Sequence, residues 1–187
     1  MTVALRGRPD RHSRETDAPS GPKSPPMSSK NSARPNVAPL AKIQMFEGLS
    51  PRSMELIASI TQEASHATGT VLFRAGEPGD KLYLIQQGRV RISRTVPGMG
   101  EEALAIFGPG DYFGEMSLID SGPRSADAHV HEACTLLEIR KDAMEHLLFM
   151  HRDLAYEVLW NVVRTLSSRL RDTTDKVTFL AVTGKFS

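Results

Sequence analysis

The sequence predicts a mainly β fold, an antiparallel roll or barrel flanked by α-helices. Short apolar segments with a period of two recur through residues 71–139, and turns rich in Gly and Pro separate them. No segment between them has the length and periodicity of a crossover helix, which a parallel sheet would require. Long helical patterns occur only before and after these strands.

The first predicted helix begins at Pro51, because Ser50 is a favourable N-cap and proline is favoured at the first helical position. Its apolar stripe consists of Met54, Ile57, Ala58 and Thr61. The predicted strands follow at residues 71–73, 81–86, 90–92, 103–107, 126–130 and 135–139. Glycines in the intervening turns permit the positive φ angles that tight corners need.

A dense group of functional side chains occupies residues 113–126 (FGEMSLIDSGPRSA), here called the cassette. Arg124 carries a planar fork of donors that suits the two exocyclic oxygens of a phosphodiester, and Ser125 adds a hydroxyl. Residues 114–119 form a predicted helical turn, and free N–H groups at a helix start favour an anion.

Glu115 needs a different partner, because a carboxylate repels a phosphate. A neutral donor such as a ribose 2′-OH suits it. The cassette therefore predicts a site for a cyclic phosphodiester joined to a ribose. The alternative is that Glu115 and Arg124 pair with each other or with their neighbours.

The cassette resembles the phosphate-binding cassette of the cyclic-nucleotide-binding domain family. Residues 76–85, 88–90 and 108–111 also match, and the similarity runs from about residue 45 to the C-terminus. The resemblance implies an eight-stranded antiparallel β-roll with the cassette inserted between strands. It also implies a set of ligand-binding residues in the cassette: Gly114 and Glu115 at the ribose, Arg124, Ser125 and Ala126 at the phosphate, with Met116 and Ser117 between them.

Asp127 is a departure from this family, many of whose members carry Thr, Ser or an aromatic residue there. Side chains alternate along a regular strand, so Asp127 is expected on the face opposite Arg124 and Ala126. We expect its carboxylate to face solvent.

The C-terminal region predicts a short helix at residues 141–150 and then a long one. Apolar residues spaced by three and four form a heptad seam, which consists of Tyr156, Leu159, Val163, Leu166, Leu170, Thr173, Val177 and Leu180. This seam predicts a parallel homodimer, since a helix of about 36 Å overhangs such a small domain. The alternative is that the seam packs on its own roll, but a second stripe (Leu154, Val158 and Val162) is better suited to that role.

Residues 169–177 are similar to the dimerisation helix of the catabolite gene activator protein superfamily. In that superfamily two adjacent hydroxyl residues contact adenine, one from each subunit. The resemblance implies that Thr173 and Thr174 contact the base and that the ligand is cAMP, with cGMP possible. The alternative is that Thr173 is only a tolerated residue of the heptad seam and that Thr174 is a surface residue. Residues 179–185 resemble the hinge before a helix-turn-helix domain, but three residues after Gly184 cannot form a recognition helix.

Three regions are predicted: a disordered basic, Pro-rich tail (1–39), the cyclic-nucleotide-binding β-roll (40–150), and the long helix with a short tail (151–187). The tail holds seven of the twelve prolines. Residues 1–40 carry a net charge of +4 and the remainder −3, so the folded part lacks a basic footprint for nucleic acid.

Other site classes are not favoured. No nucleophile triad, CxxC pair, Walker motif or catalytic carboxylate pair stands out, so no enzyme is expected. His129 and His131 share a strand face, but a solvated face is favoured over a metal site. Cys134 is the single cysteine and is expected to be buried. The chain shows no secretory signal or membrane-spanning run, and we expect a cytoplasmic location.

The sequence thus predicts a non-enzymatic cyclic-nucleotide receptor that signals through its C-terminal helices to a dimer mate or an unknown effector protein. Two alternatives stay open. One is an interaction module that kept the roll but lost its ligand. The other is a truncated transcription regulator whose DNA-binding part is supplied elsewhere.

Overall fold

The computed structural model describes residues 36–98 and 100–183. Six antiparallel strands form one sheet in these residues: β1 (Thr61–His66), β2 (Val71–Phe73), β3 (Lys81–Val96), β4 (Gly100–Phe107), β5 (Tyr112–Phe113) and β6 (Asp127–Arg140). The strand order is β1-β6-β3-β4, while β2 also pairs with β6 and β5 with β3. The predicted fold class, an antiparallel β structure with flanking helices, is confirmed.

The described sheet has six strands, and the implied count of eight is reached only by dividing the two long ones. The register of β3 against β6 shifts between Ile85 and Val90. Gly88 lies in this interval at φ +81°, and a Cβ there would lie 2.6 Å from the Cys134 Cβ. The strands predicted at residues 81–86 and 90–92 are thus two halves of β3. Those predicted at 126–130 and 135–139 are likewise two halves of β6.

Two hydrophobic cores lie on opposite faces of β3. Leu82 and Leu84 belong to a core shared with the helices, whereas Tyr83 and Ile85 belong to a core inside the roll. Strand alternation produces this division, because successive side chains point to opposite faces. The inner core contains the aromatic rings that back the cassette.

Four α-helices flank the sheet: α1 (Pro51–Ser59), α2 (Met116–Asp120), α3 (Lys141–Met150) and α4 (Arg152–Thr183). Two single-turn 3-10 helices, Leu40–Lys42 and Gln44–Phe46, precede α1. The predicted start of α1 is confirmed, since the Ser50 hydroxyl accepts a hydrogen bond from the Ser53 N–H at 3.1 Å. The placement of Thr61 on this helix was wrong. Thr61 begins β1, and its hydroxyl donates to the Ile57 carbonyl at 2.7 Å.

Helix α4 has 32 residues, about 48 Å at 1.5 Å per residue. The stripe predicted to pack on the roll (Leu154, Val158, Val162) is 2–3% exposed. The seam residues Tyr156 and Leu170 are by contrast 70% and 68% exposed. The side chain of Leu180, residues 184 and 185 of the predicted hinge, and residues 1–35 of the predicted tail lie outside the described residues.

Asn161 fastens α4 to the 3-10 helices. Its side-chain amide donates to the carbonyls of Met45 (3.1 Å) and Glu47 (2.8 Å). This contact fixes the position of α4 relative to the segment that precedes α1. None of the described helices is long and apolar enough to cross a lipid bilayer.

Candidate functional site

A cavity of about 490 Å³ lies between the cassette, strand β4 and helix α4. It brings together nearly all of the predicted ligand-binding residues: Gly114, Glu115, Met116, Ser117, Arg124, Ser125, Ala126 and Thr173. Thr174 does not line this cavity. The structure therefore brings the predicted cassette residues and one predicted residue of α4 together around one cavity.

Arg124 is the buried cation of the cavity. Its side chain is 2% exposed, and its guanidinium carbon lies 4.1 Å from the centre of the Phe73 ring. Nη2 donates to the Lys81 carbonyl at 2.8 Å and Nη1 to the Gly114 carbonyl at 3.3 Å. Burial lowers the pKa of this guanidinium below its usual value. Such a buried charge is costly unless an anion lies against it.

The fork of Arg124 is only partly used by these carbonyls. Arginine has five N–H donors, and two of them make the bonds described above. The Nε atom is buried and has no hydrogen-bond partner within the described residues. Donors therefore remain for the oxygens of a phosphate.

Gly114 allows the close approach that holds Arg124 in place. Its φ is +82°, and a Cβ there would lie 2.5 Å from Arg124 Nη1. Any larger residue would combine backbone strain with displacement of the guanidinium. Gly79 has a similar role, because a Cβ at that position would collide with the Ser117 side chain.

Glu115 is also buried, and its partner is an arginine of α4. Glu115 is 4% exposed, and its Oε1 accepts a hydrogen bond from Arg169 Nη1 at 2.8 Å. Arg169 Nη2 donates to the Tyr112 carbonyl at 2.6 Å, and its guanidinium lies 4.4 Å from the centre of the Phe107 ring. The carboxylate at the cassette is therefore neutralised by α4.

Arg169 was missed by the sequence analysis as a functional residue. A signal for it exists, because Arg169 lies one helical turn before Thr173 and therefore shares its face of α4. Of the alternative stated above, the pairing of Glu115 with Arg124 does not occur, but each of the two side chains does pair with other groups of the protein.

The remaining cassette residues shape the mouth of the cavity. Ser117 is buried, whereas Met116 and Ser125 are exposed. The Ser125 hydroxyl lies 3.6 Å from the Met116 sulfur, which is a weak acceptor. Ser125 can therefore exchange this contact for a stronger acceptor at little cost.

Thr173 and Thr174 differ in position. Both hydroxyls donate to carbonyls one turn back in α4, Thr173 to Arg169 (2.8 Å) and Thr174 to Leu170 (2.9 Å). Thr173 lines the cavity beside Lys176, whose ammonium donates to the Leu104 carbonyl of β4 at 3.3 Å. Thr174 is exposed and does not line this cavity.

The charges around the cavity favour a monoanion. Its ionisable lining consists of Arg124, Arg169, Lys176, Glu115 and Asp172, with a net charge of +1 at neutral pH. No cluster of three or more potential metal ligands occurs in the described residues. The residues present thus fit a phosphodiester with hydroxyl and apolar parts.

The expectation that Asp127 faces solvent was wrong. It is 9% exposed, and its Oδ1 accepts a hydrogen bond from the Ala75 N–H at 2.7 Å. The carboxylate ties the β2–β3 turn to the end of the cassette. Cys134 is buried as predicted, and burial raises the pKa of its thiol.

Comparison with known proteins gives a consistent result. The family model for the cyclic nucleotide-binding domain matches residues 63–151. A solved cyclic nucleotide-binding domain from Methylobacillus flagellatus superposes with a TM-score of 0.68 at 30% identity, covering 76% of this chain and 80% of that one.

Two curated relatives are regulators. The CRP-like cAMP-activated global transcriptional regulator of Mycobacterium tuberculosis is 33% identical over 144 residues, which is 77% of this chain and 62% of that protein. The cyclic AMP receptor protein of Thermus thermophilus is 40% identical over 128 residues, which is 68% of this chain and 57% of that protein. The chain thus spans about three fifths of the length of these relatives.

Proposed function

This chain belongs to the cyclic nucleotide-binding domain family, and we propose that it is a receptor for a cyclic mononucleotide, with cAMP favoured over cGMP. The ligand would occupy the cavity between the cassette and α4. The observation that carries this proposal is the buried Arg124 side chain, which lines the cavity and whose Nε has no hydrogen-bond partner in the described part of the chain. A buried cation with spare donors is stabilised by an anion that accepts from them.

The two ends of the cassette would bind different parts of the ligand. The phosphate would accept from Arg124 and from the Ser125 hydroxyl. The ribose 2′-OH would donate to Glu115, whose Oε1 is held by Arg169. A carboxylate has room for several hydrogen bonds, so Glu115 can keep Arg169 and also accept the ribose hydroxyl.

The base would lie against α4. Thr173 of the same chain faces the cavity, and the apolar residues Leu166 and Leu170 also line it. Thr174 does not line it, and would reach a base only in the cavity of a second copy. This placement supports the implication that the two hydroxyls serve two different sites of a dimer.

The dimer would form along the exposed heptad seam of α4. Five apolar seam residues, Tyr156, Leu159, Val163, Leu170 and Val177, are 44–70% exposed. A seam of this kind stabilises a parallel pair of helices through knobs-into-holes packing. A Leu159→Glu variant, which leaves the cavity lining intact, should sediment as a monomer where the parent chain sediments as a dimer.

Signalling would follow from differential affinity. A ligand that contacts both the cassette and α4 favours the arrangement in which the two are close, and it shifts the population toward that arrangement. The output would pass to a dimer mate or to a partner protein. A non-enzymatic role fits this scheme.

A ligand-free interaction module is the second candidate. The observation in its favour is that Arg124 and Glu115 already have protein partners at 2.8 Å. In that case the cassette would serve only as structure.

The deciding experiment is thermal unfolding with and without excess cAMP, cGMP and cyclic di-GMP. Ligand at 100 times its dissociation constant stabilises by about 2.7 kcal/mol. For a chain of this size, each kcal/mol moves the midpoint by about 2–4 °C. A shift of several degrees with cAMP supports the receptor. No shift with any of the three supports the ligand-free module.

A further inference from the structure

We infer that Lys141 is a positioning residue that carries the state of the cassette to the C-terminal helices. The inference rests on the proposed function and adds a route by which the cavity communicates with α3 and α4. Lys141 is the first residue of α3 and lies outside the cavity. No sequence motif pointed to it.

The Lys141 ammonium closes the C-terminal end of α2. It donates to the Ser117 carbonyl at 2.6 Å and lies 3.1 Å from the Ser121 hydroxyl. The last carbonyls of a helix have no partner within the helix, and a lysine is well suited to them. The five-residue α2 thus depends on a side chain from another element for its end.

Ser121 shows that the geometry at this end is demanding. It adopts φ +55°, and it is the one non-glycine residue with positive φ in the described part of the chain. A left-handed conformation at a non-glycine residue is uncommon and requires support from its surroundings. The hydrogen bond to Lys141 supplies such support.

The main chain of Lys141 also contacts the turn before β3, which lies on the other side of Arg124. Its main-chain N–H donates to the Asp80 carbonyl at 2.8 Å. Asp80 Oδ1 lies 3.8 Å from Arg124 Nη2, and the next carbonyl, that of Lys81, accepts from the same nitrogen. The start of α3 is therefore hydrogen-bonded both to α2 of the cassette and to the turn before β3, whose residues contact Arg124.

From Lys141 the connection continues through packed side chains. Met144 and Leu147 of α3 lie in the same hydrophobic core as Leu154 and Val158 of α4. Cores are close-packed, so a shift at the start of α3 moves its neighbours. A change in the cassette at α2 is thereby transmitted to the first half of α4.

Lys141→Met tests this route, because methionine keeps the aliphatic length and the main-chain bond to Asp80 but loses the ammonium. Arg140→Met is the matched control. Arg140 is the adjacent residue, is exposed, and pairs with Asp142 rather than with the cassette. Ser121→Ala is a milder second variant, which removes only the hydroxyl partner on the cassette side.

Two responses to saturating cAMP should be measured in each variant. One is the fluorescence of Trp160, the single tryptophan of the chain, which lies half-exposed on α4. The other is amide hydrogen exchange in α3. Binding itself is followed by calorimetric titration. A folded spectrum and an unfolding midpoint establish that each variant is intact.

We expect Lys141→Met to bind cAMP about tenfold more weakly, because the C-terminal end of α2 loses the charge-assisted hydrogen bond that holds the cassette in its binding geometry. At saturation its Trp160 and α3 responses should be largely lost, whereas Arg140→Met should match the parent chain. Ser121→Ala should show a smaller loss, and Lys141→Arg should restore part of the response.

Two results would overturn the inference while leaving the receptor intact. One is a Lys141→Met variant that binds cAMP with undiminished responses. The other is a parent chain that binds cAMP without any change at Trp160 or in α3. Absence of cAMP binding by the parent chain would instead overturn the proposed function, and this inference with it.

Discussion

Arg169 Nη1 lies 2.8 Å from Glu115 Oε1, so the long C-terminal helix directly neutralises the buried carboxylate of the cassette. The two residues are 54 positions apart in the chain. Because of this pairing, the charge balance at one end of the candidate cavity depends on the position of α4. Any movement of α4 away from the roll would leave Glu115 buried without its counter-ion.

Arg169→Met should weaken cAMP binding by about tenfold or more, because an uncompensated Glu115 carboxylate repels the phosphate and charge-assisted bonds are lost. Isothermal titration measures the change. Arg164→Met is the control, since Arg164 lies on the same helix and stacks on Trp160. Equal affinities for both variants would refute a role for the Arg169–Glu115 pair.

Arg124→Ala should weaken cAMP binding by about 10- to 150-fold, the range for losing a charge-assisted hydrogen bond. The unliganded variant should also unfold at a lower temperature, because the Lys81 and Gly114 carbonyls lose a donor. Arg140→Ala, which removes an exposed arginine, should change neither quantity appreciably. Unchanged affinity in Arg124→Ala would remove the basis for the phosphate site.

Gly114→Ala should be more damaging than Gly98→Ala, although the two glycines have nearly equal φ angles of +82° and +81°. Both substitutions impose left-handed strain of about 1–2 kcal/mol. Only Gly114 adds a collision with Arg124, whereas a Cβ at Gly98 meets nothing within 4 Å. Unfolding midpoints and cAMP affinity should separate the two; similar losses would contradict the close approach at Gly114.

Thr173→Val and Thr174→Val should both alter the ratio of cAMP to cGMP affinity, but by different routes. Thr173 lines the cavity of its own chain, so its effect should persist in a monomeric Leu159→Glu background, since Leu159 is an exposed seam residue that does not line the cavity. The effect of Thr174 should disappear there, since it requires a second copy. Competition titration in both backgrounds is the measurement, and a Thr174 effect in the monomer would contradict the shared site.

The free energy of unfolding should fall as the pH rises above about 9, near the ordinary thiol pKa. Burial raises the pKa of the Cys134 thiol and of the Tyr83 phenol, so the unfolded chain loses these protons first. Glu138 raises the pKa of Lys81, whose stabilising charge is likewise lost at high pH. Urea unfolding from about pH 7 to 11, a range that covers the ordinary thiol, phenol and lysine pKa values, tests the direction. Cys134→Ala should flatten the part of the slope at about pH 9.

The cassette could be predicted from the sequence because its residues are contiguous and each has a distinct chemical role. Arg169 and Lys141 could not, since their partners lie far away in the chain and only the closed fold brings them together. The seam and the buried stripe of α4 were separable in advance, because helical periodicity assigns them to different faces.

Local rules failed where tertiary contacts prevailed. Thr61 fits the helical stripe of α1, but its pairing with Ile139 of β6 draws it into β1. Asp127 obeys strand alternation, yet the β2–β3 turn covers the face on which it lies, and its carboxylate accepts from Ala75 there. Burial in both cases was decided by elements distant in sequence.

The division of the molecule into two cores by β3 limits how this chain can change in length. Alternate residues at Leu82–Ile85 serve different cores, so inserting or deleting one residue would exchange the two sets and ruin both. The residues of the turn at Pro97 and Gly98 are exposed and belong to neither core. Length variation among descendants of this chain is therefore expected to accumulate at the β3–β4 turn and to spare the central strand.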